Sequence, residues 1–141
     1  MKTVTTIAAL LVLAAPAAAQ AGPVRVDLTG LHAGGTLYVQ LQTRAQFLGP
    51  ERSAGELIQA PQAGALSVDL GEVPPGDYAV SVWHDDNGNQ QFDVDPGTGR
   101  PLDGLAMTPV AGLRGPPTFD QVKLTIPAAG LAVPLAMQYS R

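Results

Sequence analysis

Six stretches of this chain alternate apolar residues with polar or small ones at a period of two, and that alternation constrains the fold more than any other feature. Successive side chains of a strand point to opposite faces, so a strand buried on one face repeats every second residue. Val24, Val26 and Leu28 form one such row, and Leu37, Val39 and Leu41 form a second, interleaved with Tyr38, Gln40 and Gln42. Leu66, Val68 and Leu70 make a third. Tyr78, Val80 and Val82 make a fourth, with Ala79, Ser81 and Trp83 on its other face. Val122, Leu124 and Ile126 follow, then Leu131, Val133, Leu135, Met137 and Tyr139, and Gln91 to Val94 offers a short seventh. Turn signals punctuate the rows at Gly34 and Gly35, Gly64, Pro74 to Gly76, Asn87 and Gly88, and Pro127 to Gly130. Short strands so punctuated predict an all-β fold, an Ig-like or transthyretin-like antiparallel β-sandwich of about seven strands.

Two regions break the pattern. Between Thr43 and Pro61 the chain reads as a loop crossing between sheets, with helical turns at Arg44 to Phe47 and Ser53 to Ile58. Ser53 and Glu56 have the spacing of a capping box for the second turn. From Gly97 to Pro117, four prolines at 101, 109, 116 and 117 each remove a ladder donor, predicting a long irregular loop. Ordered loops of such length tend to carry function.

Residues 1–19 read as a secretory signal peptide: Lys2 precedes an apolar run from Ile7 to Ala15, and Ala17 to Ala19 supply a small-residue cleavage pattern. The run is shorter than the roughly 20 residues that span a bilayer, and no membrane span is expected after cleavage. Residues 20–141 are then read as one sandwich domain. Cleavage removes one of eight basic residues and none of twelve acidic ones, leaving seven against twelve, or minus five. That balance argues against nucleic acid and anionic lipid as partners and leaves a cation, a carbohydrate or an envelope protein. The absence of cysteine excludes thiol chemistry, cysteine-ligated zinc and disulfides, and points to a bacterial periplasmic or secreted protein.

Chemistry concentrates after the fourth strand. From Asp85, side-chain oxygens recur at the first, third, fifth and ninth positions, on Asp85, Asn87, Asn89 and Asp93, and Gln91 offers a backbone carbonyl at the seventh. This is the early half of a calcium loop. The later half fails, because the sixth position is Gln90 and the twelfth is Pro96; Asp95 or Asp103 would have to close the shell. The plainer reading is a hairpin, since Asn87 and Gly88 suit a two-residue type I′ turn returning along Gln91 to Val94. His84 and Trp83 border the loop as ligand contacts, together with Asp103. With only two histidines, and His32 far off in sequence, hydrogen bonding is the better role for His84 than zinc or acid–base work. Trp83 reads as strand packing, with sugar stacking as the alternative. No nucleophile elbow or phosphate loop is present, so catalytic residues are expected to be none.

From Val73 onward the chain resembles the DUF2141 family of small exported bacterial proteins. The resemblance is carried by the PPG-x-Y-A-V-S-V strand through Val82, by His84 to Asn89 closed by Phe92 and Asp93, by Gly99, Pro101 and Gly104, and by Gly115, Pro117, Thr118 and Phe119. Where that family often continues with a glycine, aromatic, glycine, phenylalanine, serine, asparagine stretch, this chain has Gly104 to Pro109. The resemblance implies a periplasmic or surface β-sandwich and transfers no catalytic residue. The PPG-x-Y strand is also similar to transthyretin-like and carboxypeptidase-regulatory sandwiches, which serve mostly as binding or scaffolding modules. The expected function is an exported binding or envelope-interaction module, not an enzyme, with a candidate calcium loop. The alternatives are a small carboxylate-dependent hydrolase of envelope glycans, or a structural partner that adds its Leu131 to Tyr139 edge strand to another sheet.

Overall fold

The computed structural model describes residues 19–108 and 115–140. The expected signal peptide, apart from its last residue, lies outside them. The alternating rows become strands: β1 (Gly22–Leu31), β2 (Thr36–Gln42), β3 (Ala54–Gln59), β4 (Gly64–Val73), β5 (Gly76–Asp85), β6 (Gly104–Met107), β7 (Lys123–Ile126) and β8 (Leu131–Ala136), with a short helix α1 (Phe119–Val122) before β7. They form two sheets, one ordered β4-β1-β8 and one ordered β3-β2-β5-β6, with β7 also paired to β5. Inward residues of both sheets share one apolar core, including Val24, Val26, Leu28, Leu37, Val39, Leu41, Val80, Val82 and Ile126. The sandwich is therefore real and mostly antiparallel. One pair departs from the antiparallel expectation: β8 runs parallel to β1, with Val24 opposite Leu131 and Thr29 opposite Ala136.

The outer edge of β5 is shared. Ser81 to His84 pair with β6, while Gly76 to Ala79 pair with β7. Thr108 fills the gap between them: its N–H donates to the Val80 carbonyl at 3.2 Å, and its hydroxyl donates to the Val122 carbonyl at 2.6 Å while accepting the Val80 N–H at 3.4 Å. A second small core covers this part of the sheet from outside, where Phe119 and Val122 of α1 pack with Ala79, Phe47 and Met107.

Several expectations need correction. Ser53 to Ile58 is not helical, because Ala54 and Ile58 pack against the main core while β3 pairs along β2 from Leu41 to Thr36. The capping box sits elsewhere: the Thr118 N–H donates to the Gln121 side chain at 2.8 Å, whereas the Ser53 hydroxyl donates to Gln46. Arg44 to Phe47 forms turns, and the buried Gln42 amide nitrogen donates to Gln46 O within them at 2.9 Å and to Gly49 O just beyond at 3.0 Å. Val122 belongs to α1, not to a strand, and the irregular region after Gly97 contains β6. Its residues 109–114, Pro109 among them, lie outside the described residues.

Candidate functional site

At the end of β5 the chain does not turn back as a two-residue hairpin. Asp85 is fully buried, and its two oxygens gather the next free backbone amides: Oδ1 accepts Gly88 N–H at 2.8 Å and Asn89 N–H at 3.2 Å, and Oδ2 accepts Gln90 N–H at 2.8 Å. Short polar side chains commonly capture local amides in this way. Gly88 and Gln90, not Asn87, take positive φ, which rules out a type I′ turn at Asn87 and Gly88. Gln91 to Val94 therefore does not return along β5. Val94 instead bridges Pro101, and Asp95 N–H donates to Arg100 O at 2.8 Å, so Asp93 to Leu102 forms a small finger. The strand that returns along β5 is β6.

The remaining oxygens of the expected calcium set hold the same loop. Asn87 Oδ1 accepts Asn89 N–H and Asn89 Oδ1 accepts Gln91 N–H. The two carboxamides donate to one atom, Asp93 Oδ2, at 2.7 and 2.8 Å. Asp95 stands apart at the finger tip, where Oδ1 accepts from the Thr98 and Gly97 amides and from the Thr98 hydroxyl; the Thr98 backbone bond above all pulls its carboxyl below the usual carboxylate range. Asp103 is buried beneath the finger, where one oxygen accepts the Trp83 indole N–H at 2.8 Å and the Asp93 N–H at 3.0 Å. The structure thus brings Asp85, Asn87, Asn89 and Asp93 into one hydrogen-bonded loop and leaves Asp95 outside it. Among the described residues no three His, Cys, Asp or Glu side chains are grouped to hold a metal ion, and no buried side-chain nitrogen or oxygen lacks a hydrogen-bond partner.

His84 points inward from β5 and is fully buried. Its Nε2 lies 2.8 Å from Gly34 O and its Nδ1 2.7 Å from the Tyr139 hydroxyl. A carbonyl only accepts, so Nε2 carries the proton and, in the neutral ring, Nδ1 accepts from Tyr139. The same hydroxyl accepts the His32 N–H at 3.0 Å, and the His32 ring stacks on Tyr139 with centroids 3.5 Å apart. The two histidines, far apart in sequence, thus meet on one tyrosine. Burial raises the Tyr139 phenol above its ordinary value.

Trp83 points outward and is not alone. Register places Leu57, Tyr38, Trp83 and Leu105 in one row across four strands. Tyr38 and Trp83 stack with centroids 4.5 Å apart, and Phe92 from the loop meets Trp83 edge to face at 6.2 Å. Leu57 and Phe92 are 50 % and 49 % exposed, and Val94 and Leu102 on the finger nearly as much. The sequence reading missed Tyr38, Leu57 and Phe92 as companions of Trp83. Outward alternation placed Tyr38 and Trp83 on strand faces, but only register joins them.

The fold and this loop define a class: a two-sheet β-sandwich with a hydrogen-bonded polar loop and an aromatic row on one outer face. Within that class the family model described as "Uncharacterized protein conserved in bacteria (DUF2141)" matches residues 26–132, and the chain belongs to that family. No curated protein and no solved structure matches it. Among the described residues no helix is long and apolar enough to cross a membrane.

Proposed function

We propose that this protein is an exported, non-catalytic interaction module that engages an envelope protein through the outer face of its second sheet. The observation that carries the reading is the apolar row from Leu57 through Tyr38 and Trp83 to Phe92. Its flanks are polar: Gln40 and Ser81 pair on one side, Thr36 and Gln59 on the other. An exposed apolar patch with a polar rim is how interaction surfaces present themselves. A protein partner suits this face better than a sugar, because Tyr38 and Trp83 cover one another's faces and leave the half-exposed Leu57 and Phe92 as the protruding groups. The hydrolase alternative draws less support: Asp85 and Asp103 are buried, with their oxygens accepting N–H groups. Edge-strand addition has β8 available at a sheet edge, where Pro134 removes one donor.

The test is photo-crosslinking in the exporting cell, with the reactive residue placed at 57 or 92 and, as control, at Ser67 on the other sheet. Adducts to one envelope protein from 57 and 92, absent from 67 and lost when Phe92→Ala is added to the position-57 chain, are expected. Equal labelling from all three positions removes the proposal.

A second reading, that the loop also takes up calcium, rests on one observation. Asn87 and Asn89 both reach Asp93 Oδ2, so turning the two carboxamides over would set three oxygens around one point.

A further inference from the structure

Asparagine followed by glycine is chemically unstable, because a glycine nitrogen, unhindered by a Cβ, can attack the side-chain amide carbon before it. Asn87 and Gly88 form such a pair, and both are exposed. Attack needs the Gly88 nitrogen to give up its proton and the Asn87 carboxamide to swing its Cγ over that nitrogen. The folded loop opposes both movements. Gly88 N–H is tied to Asp85 Oδ1 at 2.8 Å, and a negative oxygen beside the nitrogen disfavours the anion that must form. The carboxamide is held at both ends, with Oδ1 accepting Asn89 N–H at 3.0 Å and Nδ2 donating to Asp93 Oδ2 at 2.7 Å.

We propose that Asn87 is a self-modification site kept latent by Asp85 and Asp93. When the loop opens, the Gly88 nitrogen bonds to Asn87 Cγ and the bond from Cγ to the carboxamide nitrogen breaks. That nitrogen leaves as ammonia, carrying in net the proton Gly88 gave up, and a five-membered succinimide closes. Water then attacks either ring carbonyl carbon and the bond from that carbon to the Gly88 nitrogen breaks, the nitrogen taking back a proton, which gives the β-linked isomer or aspartate at 87 with no oxidant or reductant involved. Aspartate at 87 sets a carboxylate where an amide donor had met Asp93, and the β-linked isomer removes that donor by routing the main chain through the former side chain and leaving its carboxylate on Cα. Like charges at that distance repel, so the loop does not re-form in its original state. Phe92 rides on the same loop, so conversion in the opened state leaves a permanent change beside the aromatic row.

The experiment follows the amide-to-acid mass change localised to residue 87 by fragment masses in the full mature chain at neutral pH. Asn89, followed by Gln90, is the internal reference. The folded chain is expected to convert Asn87 at least about tenfold more slowly than the same chain held unfolded in urea, and folded Asp85→Asn to convert Asn87 about tenfold faster than the folded parent, as loss of a charge-assisted bond implies. Should Asp85→Asn fail to fold by circular dichroism, Asp93→Ser, which frees the Nδ2 end of the carboxamide, is read in the same way. Equal rates in folded and unfolded chains, or a folded variant that converts no faster than the parent, overturn the proposal.

Discussion

At the scale of single residues, the loop after β5 turns on what each oxygen accepts. Asp85 spends its two oxygens on three backbone amides, so burial without solvent exposure is compensated by hydrogen bonds and not left as an isolated charge. Asp93 differs, because one of its oxygens is met only by two side-chain amides that can rotate. Calcium, which prefers several oxygen ligands, would enter there by exchanging two donors for two acceptors, at the expense of the bonds to Asn89 N–H and Gln91 N–H. Calcium is therefore expected to raise the melting temperature where magnesium does not, by the equivalent of about 2.7 kcal/mol at a hundredfold excess over its dissociation constant. Asp93→Asn should remove the rise. An unchanged melting curve at millimolar calcium in the parent chain retires the calcium reading and leaves the interaction surface untouched.

Among the elements, β5 is the one on which the rest is organised, since β2, β6 and β7 all pair with it. Its outer edge is split between two partners, and Thr108 keeps the junction satisfied. Thr108→Val preserves shape but strands the Val80 N–H and the Val122 carbonyl, each bonded to that hydroxyl. A loss of about 1–3 kcal/mol is expected, read as a lower urea midpoint at constant slope; no loss would show that backbone bonding alone closes the junction. The rows that became β1, β2, β4, β5 and β8 were legible because their inward residues recur at every second position and meet one core. β3 was not, because its apolar residues are sparse and its conformation is imposed by pairing with β2. β6 is four residues long and too short to show a period. The site was half legible for a related reason: spacing named the oxygen-bearing residues, but whether they face an ion or their own backbone depends on φ at Gly88 and Gln90, which spacing does not encode.

For the whole molecule, the two sheets are tied at one end by the last described residues. After β8, Met137 N–H still donates to Thr29 O of the first sheet, while Gln138 exchanges both backbone bonds with Leu105 of the second. Tyr139 then locks this crossing by bonding His84 and His32, and its ring sits where any Cβ on Gly104 would collide with it. The clasp holds β6 and β8, the elements flanking the open side of the sandwich, and its strength is testable without disturbing the core. Tyr139→Phe keeps the ring and its stack on His32 but removes the hydroxyl's bonds to His84 Nδ1 and to the His32 N–H, a cost of about 1–3 kcal/mol. A second signature concerns pH. Burial raises the phenol above its ordinary value, so the folded state favours the protonated hydroxyl; the stability this contributes is complete below about pH 10 and is lost as pH rises through the higher folded value. Tyr139→Phe should therefore lower the urea midpoint at neutral pH and flatten its decline at alkaline pH. If the clasp works through the hydroxyl, combining it with His84→Asn costs less than the sum of the two changes. Strict additivity would mean that the sheets are held at this end by the Gln138 and Leu105 backbone pair alone.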